Sequence, residues 1–303
     1  METPFRAISW LVRNIPVNRK KDVFIRWSAH LKVRPSFTFY SRRLKLRWSA
    51  KGFPDILTRH MLFEGMYQEE VLTAIESLVR PADTVIDAGG HHGLMAIVAS
   101  KAVGPTGLVV SFEPNPHART RFLENCALSG VQNVRLAPLA LSDKPGSRKF
   151  YVQKGAVSWN SSFFAGFASQ SGRDSTEEIE VAVTTIDDYV TTNGLAPAFI
   201  KIDAEGSEFL ILNGAGKTIR EHRPVISMEF NPDSARAADT TIEKTQQFLE
   251  GIGYHLVALH RSQLGFYRFN DQEPFNSETH AAENLCNVLC IPSPKGIAVQ
   301  QLG

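Results

Sequence analysis

Cysteine is scarce in this chain of 303 residues. Cys126, Cys286 and Cys290 are an odd number without metal-ligand spacing, so neither a disulfide framework nor a thiolate metal centre is expected. A reducing, cytoplasmic setting is the simplest one. No apolar run reaches the roughly 18 residues a membrane-spanning helix needs. The N-terminus lacks a continuous apolar segment followed by small residues, so a secretory signal is not expected. Internal repeats and low-complexity tracts are also missing.

The size suits one large α/β core with an appendage. Charge is unevenly spread. Residues 1–60 hold 14 Lys and Arg against 3 Asp and Glu, a net of +11, whereas the rest holds 19 against 28, a net of −9. Such an arm can pair with the acidic remainder or another subunit, or attract an acidic partner. It divides the chain into a basic extension, 1–66, and a main domain, 67–303. Phe5, Ile8, Leu11, Val12 and Ile15 recur at helical spacing, and a second helix is expected over Val23 to Leu31. Ser36 to Tyr40 and Leu44 to Trp48 read as two strands around a turn. Gln68 to Val79 carries one apolar helical face ended by Pro81.

The rest of the chain is organised around Asp83 to Gly93, DTVIDAGGHHG. A short apolar strand, Thr84 to Ala88, meets Gly89, Gly90 and Gly93, and the run from Leu94 to about Val103 suits a buried helix. A strand, a glycine turn and a helix bring backbone N–H groups close to a ligand. In a dinucleotide fold the turn admits a pyrophosphate, and the acid follows about 20 residues later on the ribose. Here Asp87 stands before the glycines, where it disfavours phosphate and suits a cationic ligand. S-adenosylmethionine has an ammonium, a sulfonium and no phosphate. The next strand, Leu108 to Glu113, ends in an acid able to accept hydrogen bonds from a ribose diol.

A helix to about Ser129 and a third strand, Val134 to Leu141, complete a β-α-β-α-β series that calls for a parallel sheet with helices on both faces. Ser142 and Asp143, at the third strand's tip, can bond an adenine amino group. Lys144 to Val183 interrupts the series. There Lys149 to Gln153 and Glu178 to Thr184 read as strands flanking a loop, a candidate substrate lid lined by Trp159 to Phe163. The series resumes with Ala198 to Asp203, a helical run to Asn213, and the strands Pro224 to Phe230, Tyr254 to Leu259 and Asn287 to Ile291.

Several motifs together resemble the FkbM family of S-adenosylmethionine-dependent methyltransferases. They are DAGGHHG at 87–93, FEPNP at 112–116, Asn125, LSD at 141–143, TTIDDY at 184–189, KIDAEGSE at 201–208 and MEFNP at 228–232. The resemblance covers roughly Phe63 to Pro232. It implies a doubly wound, mostly parallel seven-stranded sheet, with the final strand antiparallel between the fifth and sixth. It also implies methyl transfer, typically to a hydroxyl of a sugar or natural product. By position, Asp87, Gly89, Gly93, Glu113, Ser142 and Asp143 match the family's cofactor motifs. His91-His92 replaces the asparagine and small residue usual there, and His91 can still hydrogen-bond near the cofactor carboxylate. Gln68 stands where a glutamate is frequent.

Methyl transfer to a hydroxyl needs alignment and a route for the proton. Asp203 and Glu205, at the carboxyl edge of the fourth strand, are the candidate base or acceptor-orienting groups. Lys201 alternates onto the face of Asp203 and is its candidate partner. Glu208 suits helix capping. His60, His91 and His92 are weaker base candidates. Asp203, Glu205 and Glu229 would suit an oxygen-bound divalent metal, but no histidine-carboxylate spacing demands one, and none is expected. N-methylation, a silent cofactor-binding protein and an oxidoreductase are the alternatives, the last opposed by Asp87. A nucleic-acid substrate is not expected, since Asn231-Pro232 runs into Asp233-Ser234 and not into a base-methylating N-P-P-[YF] signature.

Overall fold

The computed structural model describes residues 37–50, 55–153, 161–168, 176–259, 273–275, 277 and 286–293. The two helices expected before residue 37 lie outside this set, as do Trp159 and Asn160.

Strands β1 (Thr38–Ser41) and β2 (Leu46–Ser49) form the expected antiparallel hairpin. Helix α1 (Ile56–Phe63) follows, capped by Asp55, whose side chain accepts from the Thr58 N–H. Helix α1 is buried on nearly every side, so its apolar residues show no one-faced periodicity. Helix α2 (Glu69–Leu78) starts after Gln68, a left-handed residue with φ 48°.

The Rossmann-like core then unfolds in order. It comprises β3 (Thr84–Ala88), α3 (Leu94–Val103), β4 (Leu108–Phe112), α4 (Pro116–Ser129) and β5 (Val134–Ala137). After an excursion come α6 (Ile186–Asn193), β9 (Pro197–Ile202), α7 (Glu208–Asn213) and α8 (Gly216–His222). The chain continues through β10 (Val225–Phe230), α9 (Pro232–Ala237), α10 (Ile242–Gly251), β11 (Tyr254–Leu259), β12 (Glu273–Pro274) and β13 (Cys286–Pro292). The sheet order is β12-β11-β13-β10-β9-β3-β4-β5. β10, β9, β3, β4 and β5 run parallel, and β13 is antiparallel between β10 and β11. These are the seven expected strands, with the two-residue β12 added at one edge.

Alternation explains the apolar strands. Ile86, Val110, Ile200 and Ile226 pack on one face against α6, α7 and α8. Val85, Val109, Phe199 and Leu289 pack on the other against α2, α3 and the hairpin residues Leu46 and Trp48. Both faces are covered, so the strands read as near-continuous apolar runs.

One expectation is corrected. The third strand is not continuous to Leu141. It stops at Ala137, because Pro138 has no N–H to continue the ladder. A short β6 (Ala140–Leu141) then leaves the main sheet and joins a separate three-stranded one. The interruption forms the rest of that sheet through β7 (Gly146–Gln153) and β8 (Thr176–Thr184), with the four-residue α5 (Ala165–Ala168) between them.

Candidate active site

Parallel register sets the floor of the site. Asp87 pairs with Ser111 on one side and Lys201 on the other, so their side chains share one face of the sheet. The Ser111 hydroxyl donates to Asp87 Oδ2 at 2.7 Å, and Lys201 Nζ stands 3.5 Å from Asp87 Oδ1. Lys201 also donates to the Gly89 carbonyl at 2.9 Å and lies 3.4 Å from Asp203 Oδ2. Burial opposes its charge, but Asp203 and Asp87 outweigh that cost and hold the ammonium above the usual lysine range.

Above this floor, at the carboxyl ends of the strands, opens a cavity of about 140 Å³. Its wall includes Gly89, Gly90, His91, Glu113, Lys201, Asp203, Glu205 and Glu229. The glycine turn is fixed from two sides. The Gly89 and Gly90 N–H groups donate to the Phe112 carbonyl. A β-carbon on Gly89, whose φ is +90°, would sit 1.9 Å from the Asp203 carbonyl oxygen. Gly93, with φ +89°, lets α3 close onto the Phe122 ring.

Glu113 follows β4 on the cavity wall. Its oxygens accept from the His91 N–H at 2.7 Å and the Asn115 N–H at 2.8 Å. Burial raises its pKa to about 7 despite those two donors. His91 has φ 44° and stacks on His92 with ring centroids 3.8 Å apart. Its Nε2 is buried without a hydrogen-bond partner among the described residues, and burial lowers its pKa. His92 faces Asp55, Nδ1 to Oδ1 at 3.7 Å, and burial, then His91, drives its pKa well down. His60 pairs with Glu64 at 2.8 Å and is not on the wall.

The far side of the cavity is acidic. Asp203, Glu205 and Glu229 each bring an oxygen within 4.8 Å of the others. Burial raises Glu205, and Asp203 and Glu208 add to it. Burial likewise raises Glu229, reinforced by Asp203 and Glu205. Glu208 turns back to accept from the Ala204 and Gly206 N–H groups at 3.0 Å each, as capping logic expects. The excursion closes over this loop. Ser161, Phe163 and Phe150 line the cavity, and the Ser162 hydroxyl donates to the Glu205 carbonyl at 2.6 Å.

Four of the cofactor candidates stand off the wall. Asp87 lies beneath the turn, and Gly93 packs behind it. Ser142 and Asp143 bond to each other at 3.1 Å, and Arg148 donates to Ser142 at 3.0 Å. The wall in that region is Leu139, Ala140 and Leu141. Conversely, Asp55, Tyr67 and Asn115 line the cavity without having been selected as site residues from sequence. Neither Asp55 nor Tyr67 carried a local sequence signal for the site.

The FkbM methyltransferase domain profile matches residues 87–256, more than half of the chain. The chain belongs to the FkbM methyltransferase family. S-adenosylmethionine is the family's cofactor, and the site suits it. Gly89, His91 and Glu113 line the cavity together, and the Lys201 ammonium beside the glycine turn is already paired with Asp87 and Asp203, so it is not free to hold a phosphate.

Among solved structures, the chain is similar to the methyltransferase FkbM from Methylobacillus flagellatus KT, at 14% identity, TM-score 0.41, with 77% of this chain and 53% of that one covered. It thus spans about half of that protein's length. It is also similar to an S-adenosylmethionine-dependent O-methyltransferase from Thermotoga maritima, at 11% identity, TM-score 0.42, covering 80% and 73%. A putative methyltransferase from Streptococcus mutans, in complex with S-adenosylhomocysteine, matches at 12% identity, TM-score 0.40, covering 74% and 97%. No curated protein matches the chain. Among the described residues, no helix is long and apolar enough to cross a membrane.

Proposed function

We propose that this FkbM methyltransferase transfers the methyl group to a hydroxyl of a sugar, glycan precursor or secondary metabolite. The carrying observation is the convergence of Asp203 and Glu205 on the cavity beside the glycine turn. A hydroxyl must lose its proton as it is methylated, and an acidic wall supplies acceptors for that proton and for the hydroxyl's hydrogen bond.

In this reading the cofactor lies against Gly89 and His91 at the turn and Glu113 at the ribose, with Asp87 and Gly93 supporting the turn from behind and Ser142 and Asp143 standing behind the Leu139–Leu141 wall towards the adenine. Bound there, it supplies an electrophilic methyl carbon on a sulfonium. Asp203 orients the acceptor, Glu205 stands beside it, and Lys201 holds the Asp203 carboxylate in position. Segment 144–183 serves as a substrate lid over the main domain, 67–303. Three buried free cysteines favour a cytoplasmic setting.

The test is incubation of the protein with radiolabelled S-adenosylmethionine and a panel of hydroxylated and amino acceptors. Label in a methyl ether supports the reading. Label in amines alone would replace it with N-methylation. Cofactor binding without transfer to any acceptor would point to a silent binding protein.

A further inference from the structure

Glu229 is the penultimate residue of β10, lines the cavity beside Asp203 and Glu205, and is 9% exposed. Its surroundings differ from those of Asp203. Asp203 has the Lys201 ammonium at 3.4 Å. Glu229 has the neutral amide of Gln68, Nε2 to Oε1 at 3.3 Å. Among the described residues, no lysine or arginine lies within ion-pair distance of it. A cation beside a carboxylate makes it a poor proton acceptor, whereas burial among like charges makes it a better one. Glu205 shares the acidic surroundings but sits on a loop and is only half-buried. Glu229 is fixed on a central strand, paired in register with Asn287 of β13.

Resting on the hydroxyl-methylation reading above, we propose that Glu229 is the base that takes the acceptor's proton, while Asp203 orients the hydroxyl. In this step the O–H bond breaks and its proton passes to a Glu229 oxygen. The hydroxyl oxygen forms its bond to the methyl carbon, and the S–C electron pair remains on sulfur. A sulfonium and a carboxylate thereby become a neutral thioether and a neutral carboxylic acid. The titratable groups around Glu229 are Asp203 and Lys201 from β9 and its loop, Glu205 and Glu208 from the same loop and α7, and Tyr67 beside Gln68. Of these titratable groups Lys201 opposes protonation, as does the hydrogen bond that the Gln68 amide donates.

The test is Glu229→Gln, which keeps shape and the contact with Gln68. Turnover should fall by about 10²–10⁴-fold, with S-adenosylhomocysteine affinity held to within about twofold. The infrared difference spectrum of the acceptor-free protein, wild type minus Glu229→Gln, should show a carboxylic-acid carbonyl band that grows as pH falls. Near-wild-type turnover in the variant, or no such band, would overturn the inference. So would activity abolished by a chelator and restored by magnesium, because the carboxylates would then act through a divalent ion. Wild-type transfer to amines alone would sink the underlying reading, a result distinct from either.

Discussion

Lys201 holds its ammonium between two carboxylates, 3.4 Å from Asp203 and 3.5 Å from Asp87, while only 7% of its side chain is exposed. It therefore couples the floor of the site to its acceptor side. Lys201→Met keeps the chain length and removes the charge. The loss should be about 3–5 kcal/mol of stability, the usual cost of leaving a buried partner uncompensated. The sign with pH follows. Without the cation, the Asp87 pKa rises in the folded state, so the variant regains stability as pH falls and Asp87 protonates. Urea unfolding at pH 5 and pH 8 should show the larger deficit at pH 8.

Gly89 approaches a neighbouring strand more closely than any side chain permits. A β-carbon there would lie 1.9 Å from the Asp203 carbonyl oxygen, on a residue with φ +90°. Gly89→Ala thus combines roughly 1–2 kcal/mol for the left-handed conformation with about 1–3 kcal/mol of overpacking. Gly130 is also left-handed, with φ 69° and ψ 24°, but nothing lies within 4 Å of its β-carbon position. Gly130→Ala should show the conformational part alone. Thermal unfolding of both variants separates the two contributions, and only Gly89→Ala should weaken cofactor binding.

Much of this architecture was legible because the strands bury both faces. Thr84–Ala88 and Tyr254–Leu259 emerge with their expected ends, bounded by turns. The alternation that pairs Lys201 with the Asp203 face was also visible. Register was not. Nothing in the sequence alone says that Asp87 lies opposite both Ser111 and Lys201, which is why its carboxyl is bonded beneath the turn and does not line the cavity. Asp55 and Tyr67 reach the site through the packing of α1 and α2, a tertiary arrangement with no local signature. Pro138 was the available signal that the third strand would break.

Ser162 ties the excursion to the acidic loop, its hydroxyl donating to the Glu205 carbonyl at 2.6 Å. Glu205 itself is held at φ 49°, a conformation a non-glycine residue keeps only when its surroundings enforce it. Removing the hydroxyl frees the loop that carries Glu205 without touching the glycine turn. Ser162→Ala should cost about 1 kcal/mol, roughly fivefold in kcat/KM for the acceptor. Affinity for S-adenosylhomocysteine, measured by calorimetry, should stay unchanged. An equal loss in both would mean that the excursion supports the whole cavity.

Glu113 offers a proton-linked signature of cofactor binding. Burial raises its pKa to about 7, so near neutral pH a substantial fraction is protonated before the cofactor arrives. A ribose diol donating to it favours the carboxylate and lowers that pKa. Binding must then release protons, and affinity must climb as pH rises towards 7 and level off above it. Calorimetry of S-adenosylhomocysteine binding at pH 6.5, in buffers of different ionisation enthalpy, should give a net proton release that Glu113→Gln removes. The variant should bind more weakly, with an affinity that no longer follows pH through this range. A release that persists in Glu113→Gln would assign the proton to another group and remove Glu113 from the ribose contact.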